Sequence, residues 1–285
     1  MEVKGGRGGV PGNRFLTRMI EVRGWMMRIK ILPIMAAFFS SLVSPASGVD
    51  AATVIAVCST GEMGGVPYRL FTPQEMSGES LPLVVCMHGA GGRGSDNRTQ
   101  ITDTWWAPNV LVSGEHQAKH PCFVLMPQCA KGKRWVDYKW DHGSYKVSAK
   151  PETSELAAVA ALVKVLAAKP EVDASRIYIT GMSMGGYGTW DLLARYPDVF
   201  AAAVPICGAG DTSSVEGFKK VAVWVYHGAE DAVVPVSGSR DMVAALKAVG
   251  SRVKYTEFPR VKHNSWQLCW KDEKLVPWLF AQRKD

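Results

Sequence analysis

The 285-residue sequence predicts an α/β protein: a mainly parallel central sheet with helices on both faces, in one domain spanning residues 51–285. Three observations carry this. Short continuous apolar runs at 83–87 and 123–126 have the length and composition of strands buried on both faces. Such runs alternate with helical stretches, as crossover connections between parallel strands require. Finally, an apolar run at 177–180 breaks into Gly181-Met182-Ser183-Met184-Gly185 and continues as a helical stretch over 187–196. That junction sets a serine at the tip of a sharp strand-to-helix turn, with glycines where strand and helix crowd together. No repeat of about 20 to 50 residues is visible, which excludes solenoids and propellers.

The first fifty residues read as a leader rather than as fold. Residues 1–23 are rich in Gly and Arg, residues 26–30 carry positive charge, and residues 31–43 are apolar. Ser44-Pro45-Ala46-Ser47-Gly48 follows, small residues suited to cleavage near Gly48 or Ala51. A secretory signal over 1–50 and a secreted or periplasmic product are therefore expected. The apolar run is too short to span a bilayer comfortably, so no stable membrane anchor is expected. Residues 1–30 hold seven Lys/Arg and two Glu, which is +5 of the chain's +7. The rest is close to neutral, and a nucleic-acid partner loses its electrostatic support.

Further along, strands are expected at 66–71, 83–87 and 123–126, then a helix over 155–167 closed by Lys169-Pro170. The serine junction comes next. Strands at 201–206, 221–226 and 253–258 enclose a helix over 238–249 stopped by Gly250, and an amphipathic helix over 275–282 closes the chain. Two intervals, 89–109 and 128–149, lack a regular pattern; long loops in a compact α/β domain are commonly functional, and sites lie beyond the strands' carboxyl ends. Of the six cysteines, Cys86 sits in an apolar run and reads as a small core residue, while the pairing of the others is left open. His116 and His120 are four apart but lack the glutamate of a zinc-binding helix, and read as a solvated segment. No C-x-x-C or Cys/His cluster points to a metal.

A serine hydroxyl is a poor nucleophile at neutral pH and needs a base, which in turn needs an orienting carboxylate. With this junction the chain order should be Ser, then Asp or Glu, then His. His263 lies in a polar loop after the last strand and is the candidate base; His227 precedes the candidate acids and reads as structural. Asp231, in the turn after the 221–226 strand, is favoured as the acid over Asp211. Glycines in His88-Gly89-Ala90-Gly91-Gly92 let backbone amides turn inward, so the N–H groups of Ala90 and Met184 are the candidate oxyanion donors, with Gly91 a substitute for Ala90. That loop lacks both G-x-G-x-x-G and a P-loop lysine, against a phosphate cradle. Trp135, Tyr138, Trp140 and Tyr145 crowd one loop. Trp135, Trp140, Tyr187 and Trp266 are the candidates for substrate contact.

The motifs His88-Gly89-Ala90-Gly91-Gly92, Gly181-Met182-Ser183-Met184-Gly185, His227-Gly228-Ala229-Glu230-Asp231 and Lys262-His263-Asn264-Ser265-Trp266 resemble those of the α/β-hydrolase superfamily. Within it the chain is similar to secreted, lidless esterases of the feruloyl-esterase and polyhydroxybutyrate-depolymerase type, and to related prolyl-oligopeptidase-like peptidases. The resemblance implies an α/β-hydrolase fold without a large lid domain and ester hydrolysis through an acyl-enzyme without a cofactor. It carries Ser183 over as nucleophile, Asp231 as acid and His263 as base. Ala90 stands where several polyester depolymerases have a cysteine, a departure from that subfamily. The expected substrates are short-chain, aromatic (feruloyl-type) or polysaccharide-linked esters, with a serine peptidase or a polyester depolymerase as alternatives. A catalytically dead binding protein on the same fold is disfavoured by the complete Ser, Asp, His set.

Overall fold

The computed structural model describes residues 19–22, 25–30, 48–74 and 78–284. Ten strands form one sheet: β1 (Met19–Val22), β2 (Trp25–Lys30), β3 (Ser59–Met63), β4 (Val66–Phe71), β5 (Leu81–Met87), β6 (Phe123–Pro127), β7 (Val172–Met182), β8 (Ala202–Ile206), β9 (Ala222–Gly228) and β10 (Lys254–Phe258). Their spatial order is β1-β2-β3-β4-β6-β5-β7-β8-β9-β10. From β6 to β10 every neighbouring pair is parallel, while β1 to β4 and the β4–β6 junction are antiparallel. The helices are α1 (Ala51–Val57), α2 (Thr99–Thr102), α3 (Ala107–Leu111), α4 (Gly114–Lys119), α5 (Ser154–Ala167), α6 (Met184–Arg195), α7 (Val236–Ala248), α8 (Trp266–Cys269) and α9 (Leu275–Phe280).

Side-chain alternation along the central strands divides the core in two. On β5, Leu83, Val85 and Met87 face a cluster with Leu156 of α5, Leu192 of α6 and Met242 of α7. Val84 and Cys86 face the opposite cluster, with Val54 of α1, Leu111 of α3 and Leu275 of α9. All of β5 is buried, as its unbroken apolar run demands. Among the described residues no helix is long and apolar enough to cross a membrane.

Several elements depart from the sequence reading. β3 is an added strand whose Ser59-Thr60-Gly61-Glu62 carries no apolar alternation; backbone pairing with β4 on one side and β2 on the other holds it. Residues 19–22 and 25–30, expected within the leader, run as an antiparallel pair on the outer edge of β3. Trp, Ile and Val favour extended backbone, and that edge offers unpaired N–H and C=O groups. The apolar stretch 31–43 lies outside the described residues. The interval 89–109, read as irregular, contains α2 and the start of α3. His116 is buried rather than solvated: it packs edge-on against Phe280 of α9 at 5.2 Å between ring centroids, and burial pulls its pKa down to about 3. All six cysteines are free thiols, and Cys86 is buried in the core as expected.

Candidate active site

The last residue of β7 feeds directly into Ser183, whose φ of 53° and ψ of −119° lie in a region that costs about 1–3 kcal/mol for a residue with a side chain. The neighbours explain why the turn holds. A Cβ on Gly185 would stand 1.9 Å from the Met87 carbonyl oxygen, and one on Gly181 2.2 Å from that of Gly185. Both flanking glycines are thus fixed by backbone pressed on backbone. The Ser183 N–H donates to the Ile206 carbonyl at 2.9 Å, tying the turn to the end of β8.

Strand ends supply the partners. Asp231 follows β9, and His263 lies in the loop after β10, two and three strands from β7. Neighbouring strands are about 4.8 Å apart, so His263 must be carried back across the sheet to meet Ser183. Gly228 permits this. A Cβ there would lie 2.2 Å from the Lys262 carbonyl oxygen, so only a glycine lets the 259–263 loop pass over the end of β9. Ala229 N–H then donates to Phe258 O at 3.0 Å and Glu230 N–H to Val261 O at 2.9 Å, pinning the two loops together.

The side chains converge as a result. His263 Nε2 lies 2.8 Å from Ser183 Oγ, and its Nδ1 lies 2.7 Å from Asp231 Oδ2. Asp231 Oδ1 accepts from the backbone N–H of Val233 at 2.8 Å and of Val234 at 3.0 Å. Burial alone would raise the Asp231 carboxyl, but hydrogen bonds from His227, His263 and these two amides outweigh it and hold the group well below the usual carboxylate range. An ionised acid holds an imidazole proton of His263 on Nδ1, which in that tautomer leaves Nε2 to accept from the serine. The His263 side chain keeps 22% of its surface exposed and the serine 9%, so the pair is reached from solvent. The arrangement is able to ionise a hydroxyl nucleophile and return its proton to a leaving group.

Around Ser183 the two candidate amides occupy unpaired N-terminal positions. Met184 is the first residue of α6, and Ala90 opens a short 3-10 helix, Ala90–Gly92. Gly89 brings that loop against the nucleophile: a Cβ on it would be 3.7 Å from Ser183 Cβ. Beneath lies His88, fully buried. The Cys129 N–H donates to its Nε2 at 2.9 Å, so Nδ1 carries the proton and donates to the Gly89 carbonyl at 2.6 Å. Burial pulls its pKa down to about 4. A neutral imidazole thus fixes the carbonyl that precedes the Ala90 N–H.

Two substrate-contact candidates are corrected. Trp135 has no exposed surface; its Nε1 donates to the His88 carbonyl at 3.1 Å and its ring stands edge-on to His88, making it the floor of the Ala90 loop rather than a wall of the pocket. Tyr187 is also buried, and its hydroxyl donates to the Trp140 carbonyl at 2.9 Å. Tyr145 stacks on Tyr187 and donates to Asp191 of α6 at 2.8 Å, which straps the 128–149 loop to the body. Asp211, the rival acid, accepts from the Val147 N–H at 2.9 Å and from Ser213, and so belongs to the same strap. Trp140 and Trp266 remain partly exposed. The Trp266 ring stands edge-on to His263 at 5.4 Å, with its Nε1 donating to Thr104 at 3.3 Å.

Sequence reasoning set aside His227, yet its Nε2 lies 3.2 Å from Asp231 Oδ2. Its place four residues before Asp231, at a strand end, was the available signal. Among the described residues, one trio of His, Cys, Asp or Glu groups is close enough to share a cation: Cys207, Asp231 and His263, with ligand atoms within 4.8 Å of one another. Two of its members are already hydrogen-bonded to each other.

Residues 66–215 match the family model described as esterase PHB depolymerase. Over 165 residues, 56% of this chain, it is 28% identical to poly(3-hydroxyalkanoate) depolymerase C of Paucimonas lemoignei, and spans 36% of that protein. It is 30% identical over 115 residues to an uncharacterized secreted protein of Arthroderma benhamiae, covering 30% of this chain and 12% of the relative. The crystal structure of a thermostable esterase superposes with a TM-score of 0.70 at 37% identity, covering 81% of this chain and 64% of the other. With its parallel sheet, its serine at the β7–α6 turn and a family match over more than half its length, the chain belongs to the PHB-depolymerase esterase family and has the α/β-hydrolase fold.

Proposed function

We propose that the protein is an exported serine carboxylesterase that works through an acyl-enzyme on Ser183, with His263 as general base and acid and Asp231 as its orienting carboxylate. The observation that carries this is the chain of two hydrogen bonds, 2.8 Å and 2.7 Å, linking Ser183 Oγ, His263 and Asp231. His263 Nε2 takes the serine proton as Oγ attacks the ester carbonyl; the oxyanion is met by the N–H groups of Met184 and Ala90; His263 then protonates the departing alcohol. Water, activated by the same imidazole, releases the acid. Losing one oxyanion donor typically costs about 3 kcal/mol of transition-state stabilisation.

Short-chain, aromatic and polysaccharide-linked esters are the preferred substrates in this reading. Among the described residues no long helical insertion stands between β8 and β9, and Trp140, which carries the Arg134 guanidinium 4.7 Å from its ring centroid, and Trp266 stay partly exposed. A polyester depolymerase is the second reading, favoured by the similarity to the Paucimonas lemoignei depolymerase. Export is supported by the signal-like segment before Val49 and by the similarity to a secreted fungal protein. A panel of p-nitrophenyl acetate, methyl ferulate, an acetylated xylan, hydroxybutyrate oligomers and a peptide anilide, with Ser183→Ala as the blank, tests the proposal. Hydrolysis of esters that vanishes in the blank is expected. Hydrolysis of the anilide alone would overturn the esterase reading, and hydroxybutyrate oligomers as the best substrate would favour the second.

A further inference from the structure

His227 is the next-to-last residue of β9 and is fully buried, so water is not its partner. Its Nε2 lies 3.2 Å from Asp231 Oδ2 and 3.2 Å from the Val234 carbonyl oxygen. Both are acceptors with no proton to give, so Nε2 must carry its own. Its Nδ1 lies 2.7 Å from Ser239 Oγ, which is itself 3.1 Å from the Gly208 carbonyl. Nε2 is therefore the donor, and Nδ1 meets the Ser239 hydroxyl, whose other contact is the Gly208 carbonyl.

Oδ1 accepts from the Val233 and Val234 amides and Oδ2 from His263 on the site side; on the core side His227 Nε2 stands 3.2 Å from the same Oδ2, sharing its one proton between that oxygen and the Val234 carbonyl. We propose that His227, backed by Ser239, is a positioning residue of the catalytic site: by donating to the same carboxylate oxygen that holds His263, it fixes where that oxygen stands and hence where His263 Nε2 meets Ser183. This rests on the reading of Ser183, Asp231 and His263 as a triad. The physical need is specific. With only His263 on Oδ2, the carboxylate would face an unfilled space on the core side and could tilt about its Oδ1 bonds. A tilt of a few tenths of an ångström is carried straight to the proton-transfer distance, to which rate is sensitive. Because His227 touches neither substrate nor Ser183, its removal should act on turnover rather than on binding.

The wild-type protein supplies the first test. With 15N-labelled histidine, NMR at neutral pH should show His227 protonated on Nε2. A neutral His227 protonated only on Nδ1 cannot donate to Asp231 and would overturn the proposal without any variant. Next, turnover of p-nitrophenyl acetate is measured per active site, titrated with a serine-reactive phosphonate so that misfolded protein is not counted. His227→Leu should lower kcat by about 10- to 100-fold, the value of one hydrogen bond to a charged group, with KM unchanged. His227→Gln, whose amide N–H reaches near the Nε2 position, should recover most of the loss. Wild-type kcat in His227→Leu, or equal losses in the Leu and Gln variants, would sink the idea. Ser183→Ala and Asp231→Asn are run alongside. If they also retain turnover, the triad reading itself has failed; if they lose it while His227→Leu does not, only the role of His227 has.

Discussion

Asp231→Asn is the most informative single change, because the structure dictates how the amide must sit. The carboxylate accepts two backbone N–H groups on Oδ1 and the His263 imidazole on Oδ2, with His227 Nε2 3.2 Å from that same oxygen. Asparagine offers one oxygen and one NH2 group. A peptide N–H cannot surrender its proton, whereas an imidazole can shift its proton to the other nitrogen. The amide oxygen therefore takes the Oδ1 position and the NH2 group faces His263 Nδ1. That nitrogen becomes an acceptor, its proton moves to Nε2, and Nε2 can no longer accept from Ser183 Oγ at 2.8 Å. The side chain is isosteric and its burial unchanged, so the fold should survive. A wrong-tautomer base costs about 10⁴ in kcat, or about 5 kcal/mol at 1.36 kcal/mol per decade. The assay is burst-corrected hydrolysis of p-nitrophenyl acetate at neutral pH, with circular dichroism confirming native structure. Combining the change with His263→Ala should cost hardly more than His263→Ala alone, because the groups act as a unit. A loss below tenfold in Asp231→Asn would refute the reasoning, since it would mean that His263 keeps the correct tautomer without the carboxylate.

Three further outcomes are expected. Stability should fall with pH below about 6.5: burial depresses His116 to about 3 and His88 to about 4, so the unfolded chain binds protons that the native one refuses, at about 1.4 kcal/mol per pH unit for each histidine. Urea titrations between pH 6 and pH 4.5 should give a shallower slope in His116→Phe, and an unchanged slope would contradict the buried neutral state. Trp140→Ala should raise KM for feruloyl or sugar esters more than for acetate, whereas Trp135→Ala, at a fully buried position, should cost about 3–5 kcal/mol of stability; equal KM effects on every ester would make Trp140 mere packing. N-terminal sequencing of exported material should place the start at residues 48–50, because Val49 is bonded to Asn109 through both its N–H and its carbonyl and Asp50 caps α1. A start beyond Thr53, or retention of residues 31–43, would count against the signal reading.

What the sequence made legible, and what it hid, follows from burial. β5, β6, β8 and β9 are covered on both faces, so their apolar runs announced them. β3 is a largely exposed strand whose polar residues look like a loop. Ser183 and His263 were legible because strand ends are marked by glycines and polar turns, and chain order did the rest. Trp135 misled because an aromatic residue among charged neighbours suggests an open wall; its burial depends on the His88 carbonyl 47 residues upstream, which no local pattern encodes. His227 was hidden for a related reason. A histidine ending a strand is equally consistent with a core residue until the position of the turn that carries Asp231 is known.

That contrast explains why chemistry is more readable here than substrate. Ser183, Asp231 and His263 stand on the ends of β7, β9 and β10, and the spacing of those ends is a property of the sheet. The few loop residues needed to close the gap must be small or sharply turned, as Gly228, Gly185 and Gly181 are, so they leave a mark in the sequence. The selectivity this reading assigns to the 89–109 and 128–149 loops has no such mark. These are held to the body by contacts from distant segments: Tyr145 to Asp191, Val147 to Asp211, Trp266 to Thr104, Gln128 to Asp96. Each bond joins residues at least thirty positions apart. Specificity can therefore change by re-anchoring a loop without touching a motif. A fold that keeps its reacting groups on strand ends and its selectivity on strapped loops can exchange one ester for another while its catalytic residues stay where they are.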